Sequence, residues 1–186
     1  MKYKTNNNDI SMPLPIQLPN IQYLKLDENY SHYQLQTLLN ISSCLYTLRF
    51  FYSSDLKISF EQLKSTSIRR LNFLTKYSSN IIHFYTMECK ALSNSQIGRQ
   101  CEVLIMKVEN RTNILDLIKT INNLRSLSFQ CKDDKWSNKD ISSMNDELVQ
   151  WLRMCLPLTY SITKDKNDVL NIRIWISENE KNQILS

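Results

Sequence analysis

The feature that most constrains this chain is an apolar pattern that returns along it. Apolar residues occupy the first, fourth and sixth positions of residues 21–26, and four later segments repeat the pattern. A repeat of roughly 20 to 50 residues is typical of folds in which each unit buries its apolar face against the next unit. The central leucines are Leu24, Leu48, Leu71, Leu104 and Leu127, which gives steps of 24, 23, 33 and 23 residues.

Between these segments the sequence supplies helix starts of one type. A residue that can cap a helix is followed three residues later by Gln or Asp, which allows reciprocal bonds to free backbone amides. Such starts lie at Ser31, Ser59, Asn113 and Ser143. The chain is therefore predicted to alternate parallel strands with helices, and the long step of 33 residues predicts a helical turn over 86–92 and a loop over 93–100.

Two alternating segments near the C-terminus, 158–162 and 169–176, predict a further pair of strands. The connection between them is shorter than the dozen or more residues that a parallel crossover needs, so it predicts an antiparallel hairpin. We expect its first strand to be the sixth parallel member of the sheet and its second strand to close the edge. Residues 1–18 are expected to be a flexible segment and 177–186 a polar tail, which leaves 19–176 as one domain.

Length and charge limit the classes of function. A chain of 186 residues fits one domain. The net charge of +5 comes from 23 basic and 18 acidic residues spread without a Lys/Arg run, whereas nucleic-acid binders usually concentrate their cations. Nucleic-acid binding is kept as the alternative function. The first twenty residues contain no signal-peptide-like stretch, and no window approaches the ~18 apolar residues of a membrane span, so an intracellular protein, cytoplasmic or nuclear, is expected.

The sequence offers little for catalysis. Gly98 is the only glycine, which argues against glycine-rich phosphate loops. The five cysteines contain no CxxC pair and are expected to be buried, reduced thiols. The two histidines, His32 and His83, form no metal-binding motif. A Cys89–His83 dyad is conceivable, but a packed or surface histidine is the better reading. We therefore predict a non-enzyme without a cofactor or metal.

Two further features suit structural roles better than chemical ones. The acidic pair Asp133–Asp134 is best explained as a solvated turn after a strand, because adjacent strand-end side chains point in different directions. Trp151 and Trp175 are expected to be core anchors, which is the more common role of tryptophan at apolar spacing.

The repeats resemble the leucine-rich part of F-box proteins, since three of the four steps fall in the leucine-rich-repeat range and the first unit completes the motif L-x-x-L-x-L-x-x-N with Asn29. More specifically, QCEVLIMKVENRTNILDLIKTINNLRSLSFQCKDDKW at 100–136, DELVQWLRMCLP at 146–157 and NIRIWI at 171–176 look like the C-terminal region of an invertebrate, lineage-expanded group of F-box and leucine-rich-repeat-like proteins. The ninth positions of the other units are Ser53, Lys76, Glu109 and Lys132, so an irregular solenoid is expected.

The resemblance implies an α/β fold: an irregular leucine-rich-repeat solenoid with a curved, mostly parallel sheet, helices on its convex side and a C-terminal β-hairpin cap. It also implies a target-binding part of an F-box-type ubiquitin ligase receptor, or a truncated form of one. Nothing before Pro19 could form a three-helix F-box. A Skp1-type adaptor is therefore expected as a partner only if an F-box lies upstream. No catalytic residue carries over, because the repeat region of the family has none.

Stacked repeats would expose the residues that alternate with the buried strand positions. Cations and aromatic side chains together are typical of an interface hot spot, so we expect a protein partner with acidic and apolar features to bind this concave face. The alternative is that Phe51, Leu74, Val103 and Ile105 are covered by the chain's own terminus or by an N-terminal domain. The predicted site comprises Tyr23, Lys25, Arg49, Phe51, Arg70, Asn72, Leu74, Val103, Ile105 and Lys107.

Overall fold

The computed structural model describes residues 20–26, 30–51, 59–74, 83–132, 141–164 and 171–177. The expected N-terminal segment 1–18, most of the polar tail, Asn29 and the pair Asp133–Asp134 lie outside these residues. None of the described helices is long and apolar enough to cross a membrane.

The described residues form an α/β fold around one open, mostly parallel sheet of seven strands. Its strands, in chain order, are β1 (Tyr23–Leu26), β2 (Thr47–Phe51), β3 (Arg70–Leu74), β4 (Val103–Val108), β5 (Ser126–Cys131), β6 (Ser161–Lys164) and β7 (Ile172–Trp175). The helices are α1 (His32–Ile41), α2 (Thr86–Asn94), α3 (Gln96–Arg99), α4 (Thr112–Thr120) and α5 (Ile141–Cys155), with a 3-10 turn at Phe60–Gln62.

The first five strands follow the repeat in the sequence. They lie side by side in chain order and pair in parallel, and the central leucine of each strand is in register with that of the next. The Gln22 carbonyl accepts hydrogen bonds from the amides of Tyr46 and Thr47, at 3.0 and 2.8 Å. The same forked arrangement returns at the equivalent carbonyls of Tyr46, Arg69 and Glu102. The sequence repeat is therefore also a repeat of backbone structure.

The C-terminal hairpin is antiparallel as predicted, but its predicted order in the sheet is wrong. Strand β7 lies between β5 and β6 and pairs antiparallel with both, so β6 forms the edge. Ile172 and Ile174 extend the buried face of the sheet, with 1% and 0% of their surface exposed. The sequence SITK of β6 is mostly polar and is better suited to an edge position.

The predicted helix starts differ in outcome. At Ser31 the capping box with Gln34 is present and α1 follows it, as predicted. After Ser59 only the 3-10 turn forms, without a side-chain cap. Asn113 lies inside α4 because Asn110 accepts the hydrogen bond from the Thr112 amide instead, at 3.2 Å. Helix α5 begins at Ile141, ahead of the predicted start at Ser143.

The loop predicted over 93–100 contains the short helix α3, so that prediction is wrong. The Ser95 hydroxyl donates to the Leu92 carbonyl at 2.6 Å and accepts from the Gly98 amide at 3.0 Å. One side chain therefore ends α2 and caps α3. Gly98 permits the close approach, because a Cβ atom there would lie 1.8 Å from the Leu92 carbonyl oxygen.

The core lies between the helices and one face of the sheet. The fourth and sixth residues of each repeat are buried there with apolar residues of α1, α2, α4 and α5. In place of an asparagine at the ninth repeat position, Lys132 and Glu109 form an ion pair of 3.3 Å between neighbouring units. Four phenylalanines form the aromatic centre of this core: Phe50, Phe60, Phe73 and Phe84.

Candidate interaction surface

The second face of the sheet is opposite the core, and we call it the open face. Strand side chains alternate, so residues between the buried positions point to this side. The buried residues of the helices pack against the other side of the sheet, in the core. Across the strands in spatial order, the open face consists of Tyr23, Lys25, Thr47, Arg49, Arg70, Asn72, Val103, Ile105, Lys107, Ser126, Ser128, Gln130, Arg173, Trp175, Ser161 and Thr163.

The residues predicted from sequence occupy this face in two rows. Lys25, Arg49, Asn72 and Ile105 are neighbours in register on β1 to β4. The adjacent row begins with Tyr23, whose side chain is 53% exposed, and includes Arg70 and Val103. Lys107 continues along β4 and is partly exposed. Phe51 and Leu74 are register partners, but their side chains lie outside the described part of the structure.

The charges on the open face have one sign. Its described side chains include five basic residues and no acidic one. The helices, in contrast, carry carboxylates such as Glu88, Asp116 and Glu147, and Glu147 pairs with Arg111 at 3.5 Å. The fold therefore concentrates cations that are spread along the sequence, and a surface of one sign attracts an oppositely charged partner. The five are Lys25, Arg49, Arg70, Lys107 and Arg173.

Arg49 lies at the centre of the N-terminal cations. It is the register partner of Lys25, and like charges directly opposite each other on neighbouring strands repel. Its Nε atom is buried and has no hydrogen-bond acceptor among the described residues. A buried donor without an acceptor costs about 1–3 kcal/mol, and because this atom is inaccessible to solvent, an incoming anion would have to bind elsewhere on the guanidinium.

Strand β7 brings two residues to the open face that the sequence analysis did not include, Arg173 and Trp175. Arg173 Nε donates to Ser128 Oγ at 3.0 Å, and its guanidinium lies 5.8 Å from the centre of the Trp175 ring. Trp175 is 49% exposed, so its prediction as a core anchor is wrong. Ile172 and Ile174 alternate with these two residues in the sequence, so the alternation could have placed Arg173 and Trp175 on the open face. That assignment also requires the correct strand order.

The second tryptophan, Trp151, packs at the margin of the core. The guanidinium of Arg111 lies 5.6 Å from its ring centre. Its prediction as an anchor is compatible with this position.

The cysteine chemistry does not suit a nucleophile. Burial raises the pKa of the Cys89 thiol to about 12, with further contributions from Glu88 and Asp116. Burial also raises the pKa of Cys101 to about 12. A nucleophilic cysteine acts as the thiolate, which these raised values disfavour at neutral pH. The Cys89–His83 dyad is therefore not supported. Cys89, Cys101 and Cys131 are buried as predicted, whereas Cys44 and Cys155 are exposed, so the prediction of buried thiols is wrong for these two.

A shallow cavity of about 220 Å³ lies beside the edge strand β6. Arg153 and Lys164 supply its charge, and its lining includes no carboxylate or histidine from the described residues. Within the described ranges, no three residues of the His, Cys, Asp and Glu types gather as a metal site would require.

The open face therefore combines cations at both ends, an apolar centre at Val103 and Ile105, and exposed aromatic rings at Tyr23 and Trp175. Such a surface can bind a ligand by charge and apolar contact without any reacting group. No protein-family model, curated protein or solved structure matches this chain.

Proposed function

We propose that this protein is a non-enzymatic interaction module that binds an acidic protein partner through the open face. The observation that carries the proposal is the charge of that face, where the described side chains include five cations and no carboxylate. Apolar Val103 and Ile105 are partly exposed between the charged ends. A partner that pairs acidic with apolar side chains is complementary to both features.

We also propose a specific architecture for the described fold. The in-register leucines and the repeated forked hydrogen bonds support a leucine-rich-repeat solenoid of irregular type, with the open face on the inside of its curve. In this proposal the module is the target-binding part of an F-box-type ubiquitin ligase receptor, or a shortened form of one. A Skp1-type adaptor would join only through an F-box upstream, so co-purification of that adaptor with the longest product of the coding region tests this part.

The test of the open face is a matched pair of triple variants. One changes Arg49, Arg70 and Arg173 to Gln and so removes three cations from the open face. The control changes Arg99, Lys119 and Arg153 to Gln, which removes the same charge from exposed helix positions. Affinity capture with mass spectrometry is compared for both variants and the wild type, after thermal unfolding has shown that each is folded.

We expect partners of the wild type to remain with the helix variant and to disappear with the open-face variant. The proposal is wrong if both variants capture the same partners as the wild type. It is also wrong if only the helix variant loses them.

A second candidate is binding of single-stranded nucleic acid, favoured by the same cations together with the exposed rings of Tyr23 and Trp175. Such proteins combine positive grooves with aromatic side chains on which bases stack. Titration of oligouridylate at increasing salt tests it, because phosphate binding weakens as counterions compete. Absence of salt-dependent binding would exclude this candidate.

A further inference from the structure

Arg173 is a cation of the open face whose side chain is held in place. Its Nε atom donates to Ser128 Oγ at 3.0 Å, and Ser128 is 3% exposed. Its guanidinium lies 5.8 Å from the ring centre of Trp175, within range of a cation–π interaction. Two independent contacts therefore fix a long side chain that would otherwise lose rotamer freedom on binding.

The held guanidinium keeps a free side. Its two terminal nitrogens have no hydrogen-bond partner among the described residues, and the side chain is exposed. A planar guanidinium can bind a carboxylate with two parallel hydrogen bonds. The half-exposed Trp175 ring beside it adds apolar contact area. A pre-organised arginine next to an exposed tryptophan has the composition of an interface hot spot.

The neighbouring strands supply the second part of the site. Ile105 on β4, Ser128 on β5 and Arg173 on β7 are register neighbours, so Ile105 lies two strands from Arg173. Strands are separated by about 4.8 Å, which places the two residues about 10 Å apart. An extended peptide advances about 3.3 Å per residue and only alternate side chains share a face, so the separation that matches this distance is about two or four residues.

We propose that Arg173 and Trp175 are the anchor of the open face, and that they bind an acidic side chain of an extended protein segment. A large apolar side chain on the same face of that segment, about two or four residues away, contacts Ile105 and Val103. This inference rests on the proposed function and adds to the face predicted from sequence an anchor on β7, which that prediction did not include. The occupant is a protein segment because an apolar side chain is complementary to Val103 and Ile105, whereas a phosphate backbone supplies no apolar contact.

The test is selection of random peptides displayed on phage against the full chain. We expect enriched sequences to contain Asp or Glu with a large apolar residue about two or four positions away. A synthetic peptide of the enriched sequence is then titrated against the wild type and four variants. These are Arg173→Gln, Arg173→Lys, Arg153→Gln, and the double variant Arg49→Gln with Arg70→Gln.

Arg173→Gln should weaken binding by about tenfold or more, because it removes one side of a charge-assisted pair. Arg173→Lys keeps the charge but not the fork, so it should also weaken binding. Arg153→Gln changes an exposed cation of α5 by the same charge and should bind like the wild type. Thermal unfolding of each variant shows that the exposed substitutions leave the fold intact.

Three outcomes would overturn the inference. Wild-type affinity of Arg173→Gln, with loss of binding in the Arg49 and Arg70 variant, would reject the anchor and leave the proposed function standing. Wild-type affinity of every open-face variant would reject both. Enrichment of peptides without acidic residues, or binding of oligouridylate in place of any peptide, would reject the acidic protein segment as the occupant.

Discussion

Gly98 shows how one residue permits the junction of α2 and α3. The backbone approaches so closely there that a Cβ atom would lie 1.8 Å from the Leu92 carbonyl oxygen. We expect Gly98→Ala to lower the free energy of unfolding by about 1–3 kcal/mol, because the junction must move to relieve the overlap. Urea denaturation measures the change, and Asn94→Ala, an exposed position of the same junction, is the control. A Gly98→Ala protein as stable as the control would show that the junction can shift at little cost.

The buried thiols predict a loss of stability at alkaline pH. The pKa of Cys101 is raised from the ordinary value of 9.0 to about 12 in the folded protein. Between these values the unfolded chain releases the thiol proton and the folded chain retains it. The contribution of Cys101 is therefore complete below about pH 9 and falls as the pH rises towards about 12. We expect Cys101→Ala to make the decline of unfolding free energy above pH 9 shallower.

Urea denaturation at pH 8 and at pH 10.5 measures this slope. Cys44→Ala removes an exposed thiol and serves as the control, so its slope should match the wild type. Equal slopes for Cys101→Ala and the wild type would contradict the raised pKa.

At the residue scale, the sequence predicted side-chain alternation better than local caps. Arg49 and Ile105 were placed on the correct face because a period of two decides it within each strand. The helix start was predicted at Asn113, but Asn110 competes for the same capping role. Only the folded backbone shows which of the two accepts the hydrogen bond from the Thr112 amide. Trp175 was misassigned because its exposure depends on which strand lies beside it.

Among the elements, the order of the hairpin strands β6 and β7 in the sheet can be tested with two matched isoleucines. Ile162 on β6 and Ile174 on β7 are register partners and the same residue type, but Ile174 is 0% exposed and Ile162 is only partly buried. We expect Ile174→Ala to lower the free energy of unfolding by about 2–5 kcal/mol, because it leaves a cavity in the core. Ile162→Ala should cost about 1 kcal/mol, as expected for incomplete burial at an edge.

Chemical denaturation of the two variants decides between the strand orders. The order predicted from sequence, with the first hairpin strand inside the sheet, requires the reverse ranking. A larger loss for Ile162→Ala than for Ile174→Ala would therefore contradict the central position of β7.

The five repeat strands were predictable as elements, whereas the connections between them were not. The spacing of Leu24, Leu48 and the later leucines fixes parallel strands in register, because each unit must present the same face to the core. The 33-residue step gave no indication of two helices, since α3 depends on hydrogen bonds of the Ser95 side chain. The position of β7 could not be predicted from a local sequence pattern. It depends on which of the two hairpin strands pairs with β5, and a local pattern does not describe that competition.

For the whole molecule, folding separates charges that the sequence mixes. The chain carries 23 basic and 18 acidic residues in no evident pattern, but the described open face has cations alone. This separation appears only when alternate residues of distant strands are brought together. The surface could therefore be located from the sequence, while its electrostatic character and its Arg173–Trp175 pair required the three-dimensional structure.

The proposed function requires that a partner occupies the open face. Tyr23 and Tyr33 are both exposed tyrosines, at 53% and 79%, but Tyr23 lies on the open face and Tyr33 on α1. Each tyrosine is replaced in turn by a photo-crosslinking phenylalanine derivative. Crosslinking with the captured partner bound then shows whether the partner contacts the open face. We expect covalent adducts with the partner from position 23 and none from position 33. Partner adducts from position 33 alone, or only intramolecular adducts from position 23, would contradict it.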